Sequence, residues 1–150
     1  MSTIDEDVHA FSEAVDAILE MTMVQDVGPA AVDEVQRQID FKVYAEYEPK
    51  VYKRKFYDHG LIDPREIEAK YESKTNTLTV EAVRDDWEPT RRSHEGRKVA
   101  PVVESGNGYD YKSIKPRPFH KPAEDELIRS GKVDKIITDK MEEYLGPWSI

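Results

Sequence analysis

The chain has 150 residues, 22 Lys and Arg against 31 Asp and Glu, a formal charge of −9 and no cysteine. That length fits one domain, 1–150. The missing cysteine excludes disulfides, thiolate zinc sites and thiol nucleophiles, and the net charge argues against holding nucleic acid or anionic lipid non-specifically. A charged fraction of 35% is high for a lone globule and leaves much of the chain as surface or interface.

The N-terminus, MSTIDEDVHAFSEAV, has no basic region followed by an apolar run, so no signal peptide is expected. No segment approaches the roughly eighteen apolar residues of a membrane span. From Thr3 to Met23 the residues Val8, Phe11, Val15, Ile18, Leu19 and Thr22 recur at helical spacing. Ser2 or Thr3 would cap that helix, with Asp5, Glu6 and Asp7 in its first turn. Gly28-Pro29 reads as a break, with Pro29 in the first turn of a new helix. Val32, Val35, Ile39 and Val43 share a face of that second helix, which Pro49 should end.

Val51 to Ile62 is aromatic and basic and turns at Gly60. The period then changes to two. Ile67, Ala69 and Tyr71 alternate with polar residues, as do Leu78, Val80 and Ala82, and Ser73 to Asn76 lie between them. This predicts a β-hairpin with one buried face. Arg84 to Lys98 carries both charges densely and reads as an extended loop or a protruding hairpin arm. Val99 to Val103 is a short apolar run. Leu127, Ile128, Val133, Ile136, Ile137, Met141 and Tyr144 predict a C-terminal helix, opened by Pro122, interrupted at Ser130-Gly131 and stopped by Gly146-Pro147. N-terminal helices, a small antiparallel sheet with an arm, and a C-terminal helix define an α+β fold.

No motif carries recognisable chemistry. An enzyme reading would gather Glu104, Asp110 and His120 with Asp85 and Asp86 as a small metal-dependent hydrolase or nuclease, which requires those carboxylates to meet in one cleft. The four histidines, His9, His59, His94 and His120, match no metal-ligand spacing. Gly106-Asn107-Gly108 lacks the Lys and Ser/Thr of a phosphate loop and reads as a turn. Tyr52 to Tyr57 interleaves basic and aromatic residues, a pattern that binds single strands, but the patch is short in an acidic chain and reads better as aromatics filling core with Lys and Arg outside. Arg91, Arg92, Arg97 and Lys98 could engage an acidic partner, as in a cytoplasmic adaptor domain. Pro116 and Pro118 fix the backbone on either side of Arg117, giving Phe119 a defined direction.

Read in order, Tyr47-x-Pro49-x-Val51-Tyr52-Lys53-Arg54, then a strand pair, then VAPVVESG (Val99 to Gly106), then PRPFHKPA (Pro116 to Ala123) before a helix, the chain resembles the neck or tail-completion proteins of long-tailed bacteriophages. The likeness spans roughly Ala30 to Glu143. The family's Thr-Gly-Arg-Leu turn is represented here only by Gly60-Leu61, and the Arg84 to Lys98 segment is peculiar to this chain. The resemblance implies an α+β virion protein without enzyme activity or cofactor, metal included. It implies a homo-oligomeric ring, commonly a hexamer, connecting a head-completion protein to a tail terminator or tail tube protein. DNA would pass through its channel without specific binding, and no membrane is involved. Such a protein is made in the host cytoplasm and ends in the virion. In that reading Glu104, Gly106, Arg117 and Phe119 shape the fold or a subunit interface.

Overall fold

The structure is a computed structural model and describes residues 3–45, 59–83, 85–86, 97–106 and 115–146, with backbone alone at 85–86 and 97–98. The expected aromatic-basic segment before His59, the Gly-rich stretch after Gly106 and the tip of the charged arm lie outside these residues.

The first helix, α1 (Ile4–Thr22), starts where the sequence places it. Thr3 Oγ1 accepts from the Glu6 N–H at 3.3 Å, and the Thr3 N–H donates to Glu6 Oε2 at 2.9 Å. This reciprocal capping box satisfies two of the donors that a helix start leaves over. The expected break at Gly28-Pro29 is not a break. The chain continues through a π-helical turn (Met23–Val27) into α2 (Gly28–Ile39) and a second π turn (Asp40–Tyr44). The Gly28 N–H reaches back five residues to the Met23 carbonyl, and the wider turn accommodates the proline ring that an α-helix would exclude. Gly28 has a different task. A Cβ there would crowd the Met23 carbonyl oxygen at 3.2 Å while meeting the Ala69 Cβ of the sheet at an ordinary 3.6 Å, so the glycine relieves the π turn itself.

A 3-10 turn (Pro64–Glu66) leads into β1 (Ile67–Glu72), which pairs antiparallel with β2 (Thr77–Ala82). The register sets Ile67 opposite Ala82, Ala69 opposite Val80 and Tyr71 opposite Leu78, so the alternating apolar residues share one face as expected. Only the base of that face, Ile67 and Ala82, is fully buried. At the turn Asn76 has φ +49°, and its side-chain oxygen accepts from the Tyr71 hydroxyl at 2.7 Å. The charged arm is rooted as a second small ladder: Asp85 in β3 (Asp85–Asp86) pairs with Lys98 in β4 (Arg97–Lys98), and Asp86 pairs with Arg97.

The apolar run that follows forms α3 (Val99–Ser105). The C-terminal helix is two helices, α4 (His120–Arg129) and α5 (Lys132–Leu145), parted by Gly131 at φ +66°. One core joins α2, the sheet base, α3 and α4: Val35, Ile39, Val43, Leu61, Ile62, Ile67, Ala82, Ala100, Val103, Phe119 and Ala123. The α+β assignment holds. No helix among the described residues is long and apolar enough to cross a membrane.

The fifth helix runs antiparallel to the long N-terminal helix. The Tyr144 hydroxyl meets Met21 Sδ at 3.8 Å, Lys140 lies in the field of Asp26, and Lys132 in that of Glu34. It therefore borders the stretch from Met21 to Glu34 and leaves the start of α1 projecting, with every residue from Ile4 to Ala14 exposed.

Candidate functional site: a carboxylate–imidazole clamp

Glu104 closes the last turn of α3 with one oxygen in three hydrogen bonds. Its Oε1 accepts from the Phe119 N–H at 3.1 Å, from the His120 N–H at 2.8 Å and from His120 Nδ1 at 2.9 Å. The first two donors are orphans at the start of α4, so the carboxylate acts as an N-cap delivered from another helix. This moves the helix start to His120, two residues ahead of the expected Pro122, which then falls in the first turn where its missing N–H costs nothing. Burial works against the ionised Glu104. The His120 side chain and the two backbone N–H groups outweigh it and hold the carboxyl below its ordinary value.

The other imidazole nitrogen is also engaged. His120 Nε2 accepts from the Ala82 N–H at 3.1 Å. That bond requires a bare Nε2, so the proton sits on Nδ1 and points to Glu104. The ring lies 4.4 Å from the Phe119 ring, tilted 39°. A general base needs an imidazole nitrogen open to the proton it removes. Here a backbone amide occupies that nitrogen, and the pair ties β2, α3 and α4 together.

Phe119 is fully buried at the centre of the core, so the proline corner aims an anchor as its sequence suggests. Gly106 has φ +72° and donates its N–H to the Val102 carbonyl at 3.0 Å, ending α3 in the left-handed conformation that favours glycine. Arg117 is half-buried, and its N–H donates to the Val103 carbonyl at 3.1 Å. The corner thus runs back along α3 before α4 begins. Of the residues grouped in the hydrolase reading, Glu104 and His120 meet. Among the described residues no three His, Asp or Glu side chains converge as metal ligands.

Sequence reasoning passed over a second buried carboxylate. Asp63 caps the 3-10 turn, accepting from the N–H groups of His59 (2.8 Å) and Arg65 (2.9 Å) and from the Arg65 guanidinium at 2.6 and 3.0 Å. That guanidinium, with the two N–H groups, holds the Asp63 carboxyl far below the usual carboxylate range despite its burial. The order Asp63-Pro64-Arg65-Glu66, a capping residue followed by proline, was the available signal.

A shallow groove of about 410 Å³ opens between the end of α2 and α4. Phe41, Arg37, Lys42, Asp125, Glu126 and Arg129 line it, and the Lys42 ammonium lies 5.3 Å from the centre of the exposed Phe41 ring.

The geometry defines a small α+β protein in which Glu104 and Asp63 each cap a helical segment. A model of the YomN family matches residues 7–144, nearly the whole described chain, and the protein belongs to that family, a Bacillus phage-derived one. No curated protein and no solved structure matches it.

Proposed function

We propose that this protein is a virion structural component, a ring of identical subunits at the phage head–tail junction. It connects a head-completion ring to the tail and lets DNA pass without gripping it. Membership in a phage-derived family carries this reading. Two features support it. The Glu104–His120 cluster spends its hydrogen bonds on positioning α4. The start of α1 carries large apolar side chains in water, with Ile4 82%, Val8 62% and Phe11 52% exposed, as a subunit that completes itself against neighbours would. The finer assignment to the neck rests on the motif order from Tyr47 to Ala123.

Mass spectrometry of purified virions tests it directly. The chain is expected at the copy number of one ring, measured against a known ring component. Its absence from virions overturns the proposal.

A further inference from the structure

The two nitrogens of the His120 ring face groups of opposite kind. Nδ1 meets an acceptor, the Glu104 carboxylate of α3, at 2.9 Å. Nε2 meets a donor, the Ala82 N–H of β2, at 3.1 Å. The direction of that N–H follows from the ladder. The next residue, Val83, donates inward to the Glu66 carbonyl at 2.8 Å, and N–H groups alternate sides along an antiparallel strand. The Ala82 N–H therefore points out of the hairpin, away from every acceptor on β1. Ala82 is also fully buried, so His120 Nε2 stands where a neighbouring strand or bulk water would otherwise satisfy the amide.

An imidazole changes charge close to neutral pH. The His120 side chain is a quarter exposed, so a proton reaches it without unfolding. Its arrival acts unequally on the two sides, because both nitrogens then donate and neither accepts. The Nδ1 bond to Glu104 becomes an ion pair as well as a hydrogen bond, and such bonds are roughly twice as strong as neutral ones. The Ala82 contact becomes two donors facing each other, and a buried amide loses its acceptor. The remaining charges on the adjoining elements do not offset this. Glu81 on β2 is exposed, and Lys121 on α4 is exposed and paired with Glu124 and Asp125. Arg117, in the corner before α4, stays cationic throughout. The neighbouring Phe119 ring carries no charge.

We infer that His120 is a proton-operated latch: neutral, it fastens β2 to α4, and protonated, it releases β2 while strengthening its hold on Glu104. The loosening is confined to one side. The hairpin base at Ala82 and Ile67 loses its tether, and the ladder of Asp85–Asp86 with Arg97–Lys98 begins just beyond it. The start of α4 keeps its cap, because the Phe119 and His120 N–H groups bond Glu104 rather than the ring.

Heteronuclear NMR of the full chain tests the latch without a variant. At about pH 8 the His120 ring should carry its proton on Nδ1 and leave Nε2 bare. The titration then runs to about pH 5. Glu104 stays ionised in that window, since its carboxyl titrates below 4.5. Protection of the Ala82 amide against exchange should fall about tenfold in step with protonation of His120, as loss of one hydrogen bond predicts. The Phe119 and His120 amides should keep theirs within about twofold. H120Q places a non-titrating acceptor oxygen near the Nε2 position, and should hold Ala82 protection constant across the window. A proton on Nε2 at the start, a ring that stays neutral throughout, or Ala82 protection indifferent to the titration overturns the latch. So does a joint loss of protection at Ala82, Phe119 and His120, which would mark general loosening. Should H120Q fail to fold, the wild-type comparison of these amides decides alone.

Discussion

Replacing Glu104 by Ala removes the acceptor of three donors at once: the Phe119 N–H, the His120 N–H and His120 Nδ1. Loss of a helix cap costs about 0.5–2 kcal/mol. Stranding a further donor costs about 1–3 kcal/mol when water is excluded. Both side chains are a quarter exposed, so water reaches part of the site and the lower half of each range applies. The expected loss is therefore about 2–3 kcal/mol, roughly 4–12 °C in Tm for a chain of this size. E104Q keeps an acceptor oxygen and loses the charge, and should cost about 1 kcal/mol. The pH dependence has a definite sign. The folded Glu104 carboxyl titrates below its ordinary 4.5, so its stabilisation is full above pH 4.5 and is lost as pH falls through the folded value. The gap between wild type and E104Q should thus close as pH falls below 4.5. Urea denaturation monitored by far-UV circular dichroism, repeated across that range, measures it. E104A within about 0.5 kcal/mol of wild type, the scatter of surface substitutions, would refute the inter-helix cap.

Other expectations follow from the same packing. F119A should lose about 3–5 kcal/mol in urea denaturation, and F119L, which keeps most of the buried volume, roughly half of that or less. G131A should cost about 1 kcal/mol with G131N recovering most of it, since no atom lies within 4 Å of the added Cβ and only the φ of +66° is at stake; thermal melts separate the two. T3A should leave the global urea midpoint nearly unchanged while speeding amide exchange in the first turn of α1 severalfold, because the capping box serves a projecting segment. For Asp63, whose carboxyl is held below its ordinary 3.8 chiefly by Arg65, stability is present above that pH and lost below it. Stability of D63N measured against pH should accordingly run flatter on the acid side than that of wild type.

The parts of this fold that depend on neighbouring residues were legible in the sequence. The alternation through Ile67, Ala69 and Tyr71 gave the hairpin and its apolar face, and Thr3, one of two candidate caps, gave the helix start. Parts that depend on distant residues were not. Pro29 signals a break in any local reading, and only the π-helical turn before it keeps the helix continuous. Nothing at Phe119 announces a helix start, because its cap comes from Glu104, fifteen positions upstream. The Glu104–His120 pairing was visible as two polar residues of suitable type, but the imidazole's role depends on Ala82, a backbone donor with no signature.

The two π turns in the N-terminal helix have a consequence for how the chain is apportioned along one axis. A π turn holds one residue more than the α-helical ladder expects, which advances the phase of everything beyond it by about 100°. The stripe of α1 and the stripe of α2 are thereby decoupled, and one continuous rod serves two compass bearings: inward to the core through Val35 and Ile39, outward through Val8 and Phe11. The bearing of the outer stripe is set by a single inserted residue between Met23 and Val27. Insertion or deletion there would re-aim the projecting segment while leaving unchanged what it displays.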